Sequence, residues 1–427
     1  MKSVSLLLMP IGLWIAVLSP VRAADAGQPA PLSLQDCINV ALKNQADVIV
    51  ARNNVTIAKA RSTDAKGAYF PQLSLQNNAF RIGSQGVLSQ QRTGTALTVM
   101  QSVYDGGLRE ALVRGARYGV LETESGLART VQTLVFSVTQ AYYEVLRSKH
   151  LAEVASASVK YNEGLRDMVQ TRVELGAAAE VDVLPIEAQL ANAQVDLLAA
   201  GNSVRTATIQ LQNAMGLSPR PGFDVQEIES VPAVNVQPLE SYLSIAMESR
   251  PDVAQAAAGI GAAKASVRSA RISLYPRPAI SGQYQAGIAG VHSSSSQMVG
   301  GFVFDIFNGG SNRAAYKQAQ ASRANAEEQS EQVAKDIQAQ VQQAYLNLTN
   351  AKERLSASEV GLTAAQKNYD VQSTKYKQGL AIPLDLLNAE LQVVTAQTNA
   401  VQARYDYHIA MAQLEYAIGK QGGLNGN

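Results

Sequence analysis

The chain is poor in the residues that most often carry chemistry. It holds one cysteine, Cys37, and three histidines. A lone cysteine excludes an internal disulfide and a cysteine zinc cluster. Its expected place is a small buried position on a helix face. His150, His292 and His408 lie far apart, and His408 falls on a helical seam, where a packed core residue is expected. No GxSxG, HExxH, Walker, GxGxxG or EF-hand pattern occurs. The sequence therefore points to no catalytic, cofactor-binding or metal-binding residue, and no enzyme activity is expected. A net charge of +1 gives no case for nucleic acid. Aromatics make up only 6%, which suits thin helical walls with alanine at their seams better than a large globular core.

Long apolar runs are also missing. Leu6 to Leu18 is apolar but falls short of the roughly 20 residues that a spanning helix needs. With Lys2 before it and Val21-Arg22-Ala23 after it, residues 1–23 read as an export signal. No cysteine follows the cleavage site, which closes the lipoprotein route. Any membrane contact of the exported protein must then use strands.

What the sequence does have is a repeat. Gly176 and Asp182 recur as Gly379 and Asp385. At the same offset Tyr104 pairs with Phe307, Gly106-Gly107 with Gly309-Gly310, Ala141-Tyr142 with Ala344-Tyr345, Glu187-Ala188-Gln189 with Glu390-Leu391-Gln392, and Gly216 with Gly419. Upstream, Leu34, Ala41, Asp47-Val48 and Pro71 pair with Leu239, Ala246, Asp252-Val253 and Pro276. Such self-similarity marks two copies of one unit, residues 24–216 and 239–419. A proline-rich connector, 217–238, joins them, and a tail, 420–427, follows.

Each copy contains a seven-residue rhythm. Ile337, Val341, Ala344, Leu348, Ala351, Leu355, Ser358, Leu362, Ala365 and Tyr369 step by four and three, as do Leu387, Leu391, Val394, Thr398, Val401, Tyr405, His408 and Ala412. That is the rhythm of helices lying side by side in a left-handed coiled coil. Gly379 gives the freedom to end the first helix, and Asp385 is placed as N-cap of the second. The segment is thus the tip of a helical hairpin, and Gly176 with Asp182 forms its twin. The long helices are expected over 108–171 and 183–216, then 311–376 and 386–419. A shorter helix over 34–68, with Ser33 as N-cap, stops before Pro71; its twin covers 238–274. Strands are expected at 72–81 and 95–104, then 278–287 and 297–307, with polar turns at 83–86 and 292–296. About ten residues is the length of a tilted transmembrane strand; an ordinary soluble hairpin is the alternative.

The fold class is mainly α with a small β part. In lipid every strand edge must be paired, and single-chain bacterial barrels start at about eight strands. Four strands per chain therefore call for several chains. Two would leave little lumen and three an open one, with the long helices continuing the wall as a second tube.

The duplicated pattern resembles the TolC outer-membrane efflux family. The residues that carry the resemblance are Leu34, Ala41-Leu42, Asp47, Pro71, Tyr104-Asp-Gly-Gly107, Gly176, Asp182 and Gly216. Their echo runs through Gly309-Gly310, Tyr376, Gly379, Asp385-Leu-Leu and Gly419. The resemblance implies a homotrimer with a twelve-stranded barrel in outer-membrane lipid and a twelve-helix coiled-coil tunnel in the periplasm. It also implies docking onto a periplasmic adaptor (membrane fusion) protein and an inner-membrane pump of the RND, ABC or MFS class, with no catalysis and no cofactor. In that family a tyrosine, an arginine and aspartates close the periplasmic aperture. They fall here on Tyr376, Ala381, Asp385 and Asn388, so the arginine and the second aspartate are replaced. The first copy offers Asp182, with Glu180 and Arg172 nearby. The tips Gly176, Glu180, Gly379, Leu380 and Ala381 are the implied adaptor-docking positions. A periplasmic coiled-coil adaptor or envelope tether without a pore is the alternative. It would stay soluble without detergent, and adaptors typically carry one hairpin rather than two.

Overall fold

A computed structural model describes residues 31–84, 87–176, 178–227, 236–289 and 294–420, with the backbone alone for 78–84, 87–93 and 288–289. The export signal, the middle of the connector, residues 85–86 and 292–293 of the strand turns and all but the first residue of the tail lie outside the described residues.

Each copy runs helix, helix, strand, strand, long helix, helix. The first has α1 Leu34–Asn44, α2 Ala46–Gly67, β1 Gln72–Ser84, β2 Val87–Tyr104, α3 Leu108–Glu174 and α4 Leu184–Ala214. The second has α5 Leu239–Ser249, α6 Pro251–Ile272, β3 Arg277–Ala289, β4 Ser294–Val303, α7 Ser311–Lys377 and α8 Pro383–Ala417. At 67 residues each, α3 and α7 are about 100 Å long. Helices of that length need lateral partners. Helix α3 packs on α2, α4, α6 and α8, and α7 packs on α6 and α8. The wall is therefore four helices wide, in the order α2/α4, α3, α6/α8, α7.

The expected seam of α7 is the stripe that packs. Ile337, Val341, Ala344, Leu348 and Ala351 are buried, and Leu355, Ser358, Leu362, Ala365 and Tyr369 are half-buried among exposed neighbours. Helix α8 buries a wider arc, adding Leu386, Ala389, Val393 and Leu414, because it is held between α7 and α3. Cys37 is fully buried in the upper core, and burial pushes its thiol up to about 11. His408 is buried against the Tyr143 ring at 4.9 Å. Burial holds it down at about 4, so it packs as a neutral ring.

The structure corrects the short helices. Neither 34–68 nor 238–274 is continuous. The first breaks at Gln45 (φ −70°, ψ 126°) and the second at Arg250 (φ −75°, ψ 127°). At Arg250 the cause is Pro251, which drives the residue before it out of the helical region. Each break receives the end of its own copy's last helix, α4 in the first and α8 in the second. A Cβ on Gly216 would lie 2.8 Å from the Asn44 carbonyl, and one on Gly419 would lie 3.1 Å from Arg250 Cα. This close approach accounts for the glycine pair seen in the repeat.

The four strands form one antiparallel sheet in the order β1-β2-β3-β4, so β1 and β4 each keep an unpaired outer edge. Strand β4 stops at Val303, and Phe304 to Phe307 run on outside the sheet instead of extending it. The register puts Leu73, Val99 and Tyr284 on one face with Leu75, Leu97, Met298 and Phe302. The other face carries Ser74, Gln76, Thr98, Gln283, Gln285 and Gln297. Leu73, Met298 and Phe302 of the apolar face are 67%, 77% and 78% accessible; on the polar face Ala96 and Thr98 are buried, while Ser74, Gln76, Gln283 and Gln297 are exposed. A soluble hairpin turns its apolar face inward. This sheet leaves its apolar face bare, as a lipid-facing wall must. Among the described residues no helix is long and apolar enough to cross a membrane.

Candidate functional site: the paired hairpin tips

Both hairpin tips lie at the same end of the wall, joined by one small core. Leu165, Val169, Val183 and Ile186 of the first hairpin pack against Tyr376, Leu386 and Leu387 of the second. Gly176 and Gly379 end α3 and α7 with φ of 70° and 77°, the left-handed cap that glycine takes without strain. Leu380 N–H donates back to the Lys375 carbonyl at 2.9 Å and closes the turn.

Asp385 is not the N-cap that its spacing suggested. Helix α8 begins at Pro383, so Asp385 is the third helical residue, and its carboxylate accepts from Ile382 N–H at 3.4 Å. Asp182 does the same for Ala179 N–H at 3.1 Å, from a short 3₁₀ turn, Glu180–Asp182, ahead of α4. Proline fits the first turn of α8, where its missing N–H would have no partner anyway; the carboxylate in that turn then reaches back to the orphan donor. Asp385 and Asn388 are exposed, and Asp182 is half-buried. Among the described residues neither aspartate forms an ion pair. Asn388 lies one turn above Asp385 and faces a groove of about 910 Å³ between α7 and α8, beside Arg354, Gly361 and Gln392.

Tyr376 is only 1% exposed, and its hydroxyl is buried with no hydrogen-bond partner. The Arg172 guanidinium stands 4.4 Å over the ring, and Arg172 Nη2 donates to the Tyr376 carbonyl at 3.4 Å. A cation at a helix C-terminus is favourable, and one over an aromatic face adds to that. Ala381 supplies no cation, but α3 delivers one to the same tyrosine from the other hairpin. Sequence spacing within one tip could not place that pair.

A second feature extends beyond the expected tip positions Glu180 and Leu380. Leu175 (77% exposed), Val181, Leu184, Leu380, Ile382 and Leu384 form an apolar fringe at the two tips, and Glu180 lies among them. The signal available was a set of apolar residues clustered beside each turn glycine.

Comparison with known proteins decides the family. The sequence profile of the outer membrane efflux protein family matches residues 37–217 and 242–420. The chain belongs to that family. It is 26% identical to the outer membrane efflux protein BepC of Brucella suis biovar 1, over 89% of this chain and 84% of that one. It is 24% identical to the outer membrane protein TolC of Escherichia coli K12, over 83% and 76%. The crystal structure of the outer membrane protein VceC from Vibrio cholerae shares the fold, with a TM-score of 0.80 at 18% identity over 91% and 96%. This efflux-family chain is thus an outer-membrane channel component extending into the periplasm. Its family supplies the outer-membrane part of tripartite systems that work with an adaptor and an inner-membrane pump. The pore-free adaptor or tether falls away.

Proposed function

We propose that three copies of this efflux-family chain close into one passive duct, twelve strands in outer-membrane lipid above twelve helices in the periplasm, with no catalysis by the chain. The observation that carries this reading is the open sheet. Its β1 and β4 edges are unpaired among the described residues, and its apolar face is exposed. In lipid such edges must be closed by other chains. Residues 1–23 serve as the export signal, and 24–216 and 239–419 are the two repeats of the wall, with 217–238 as connector and 420–427 as tail. Native mass spectrometry in detergent should show three chains. A stable monomer or dimer overturns the twelve-stranded barrel.

In this reading the tips form the periplasmic aperture, with Tyr376, Asp182, Asp385 and Asn388 around it. Three exposed Asp385 carboxylates around a narrow axis would favour cations, as acidic rings do in channels. The buried Tyr376–Arg172 stack braces each chain's own tips. The tips at Gly176, Glu180, Gly379, Leu380 and Ala381, with the apolar fringe around them, are the docking surface for a helical-hairpin adaptor, the fringe leucines packing into that partner.

A further inference from the structure

The seam between the two hairpins holds an acid that no cation neutralises. Glu390 lies on α8 just above the second tip, is 4% exposed, and faces α3. Ser158 Oγ donates to Glu390 Oε1 at 2.9 Å. Asn162, fully buried, directs its amide N–H to the Ser158 carbonyl at 2.8 Å. Two buried acceptors, Glu390 Oε2 and Asn162 Oδ1, are left without a donor. Orphaned buried acceptors are costly, and a proton on Glu390 supplies the missing donor.

The surroundings favour that proton. Burial pushes the Glu390 carboxyl up, opposed by the Ser158 hydrogen bond and by the nearby Asn162 amide. The groups that sense its charge are Tyr161 of α3 and Tyr369 of α7. The charged residues on neighbouring turns, Lys160 and Glu163 of α3, Glu187 of α4, and Lys367 and Asp370 of α7, are all exposed. Glu187 occupies the equivalent place in the first copy, so burial of this acid is particular to the α3–α8 seam.

We propose that Glu390 is a proton-dependent latch between the hairpins, protonated while the seam is closed and ionised when it opens. An acid that titrates higher in the packed state adds its full contribution below its ordinary value of 4.5. It loses that contribution as pH rises through the raised value. Within that window the open-to-closed ratio rises about tenfold per pH unit. If the chain is a duct as proposed, the latch lies where the tips must part to widen the entrance. That consequence rests on the proposed function; the latch itself does not.

The test is amide hydrogen exchange on the full chain in detergent, read as protection factors so that the intrinsic pH dependence of exchange cancels. Protection of 155–169 and 386–400 should fall up to about tenfold per unit as pH rises from 4.5 to the raised value, and level off above it. In Glu390→Gln, a neutral isostere, protection should stay high and flat. Ser158→Ala removes a donor that favours the ionised form in the seam, and should move the fall to higher pH. Flat protection in the unmodified chain, an unchanged profile in Glu390→Gln, or low protection in that variant at every pH overturns the latch. A chain that is monomeric by native mass spectrometry but keeps this pH profile loses the duct and keeps the latch.

Discussion

The two copies share an element order but differ where each is braced. In the first copy the joint between strand and long helix is held by a buried cation. Arg109 donates to the Ala68, Ser102 and Val103 carbonyls at 3.2, 2.8 and 3.2 Å and stacks on Tyr69 at 4.1 Å. In the second copy the matching residue is Asn312, half-buried, donating to the Ser273 carbonyl at 3.0 Å. At the helix break the order reverses. Arg250, 2% exposed, pairs with Asp252 and donates to Gln340 Oε1 at 2.9 Å and the Ala417 carbonyl at 3.0 Å. Its counterpart Gln45 accepts from the next N–H, on Ala46, at 2.9 Å. The difference follows position in the wall. The β2–α3 line and the α6/α8 line are interior, and there the chain covers a buried arginine on both sides. The β1–α2/α4 line and the α7–β4 line are edges, where amides suffice and apolar residues such as Ile306 (89%) and Phe307 (88%) stay exposed. Duplicated sequences have diverged according to which neighbour the chain itself provides.

The largest effect expected from this contrast is at the helix breaks. Arg250→Ala leaves Asp252 and two acceptors without their main partner and should cost about 3 kcal/mol or more. Gln45→Ala should cost about 1 kcal/mol or less. Denaturant midpoints in one detergent would compare them, and equal losses would break the interior-versus-edge rule. The joints should give a smaller contrast: about 2–3 kcal/mol for Arg109→Ala, from charged hydrogen bonds, against about 1 kcal/mol for Asn312→Ala. Thermal unfolding of the two variants side by side checks this.

The smallest stability effect is expected at the tips, where the copies are alike. In Asp182→Asn and Asp385→Asn the amide oxygen can still accept from the backbone N–H, so stability should move by only about 0.5 kcal/mol. If Asp385 lines the aperture as proposed, Asp385→Asn should nevertheless lower cation selectivity in planar bilayers with the assembly intact. Unchanged selectivity and conductance would leave the carboxylate as a helix-end acceptor alone and remove it from the aperture.

Much of this architecture was legible because it is periodic. The stepping of Ile337, Val341, Ala344 and Leu348 named the packed stripe of α7, and the turn glycines named both tips. The break at Arg250 was missed in the expected 238–274 helix although Pro251 follows it; the break at Gln45 carried no such sign. Arg172 over Tyr376 joins residues of different hairpins, and the burial of Glu390 but not Glu187 depends on which helix lies beside each. Neither has a local signature.

By itself the sequence determined the repeat, the helical seams, the alternation of the strands and the turns, because each is set by contacts within a few residues along the chain. Only the tertiary structure decided that the sheet's apolar face is left bare, which copy's cation is buried, and which of two equivalent glutamates loses its water. Those outcomes depend on neighbours brought together from distant parts of the chain, and desolvation acts on whatever the packed wall covers.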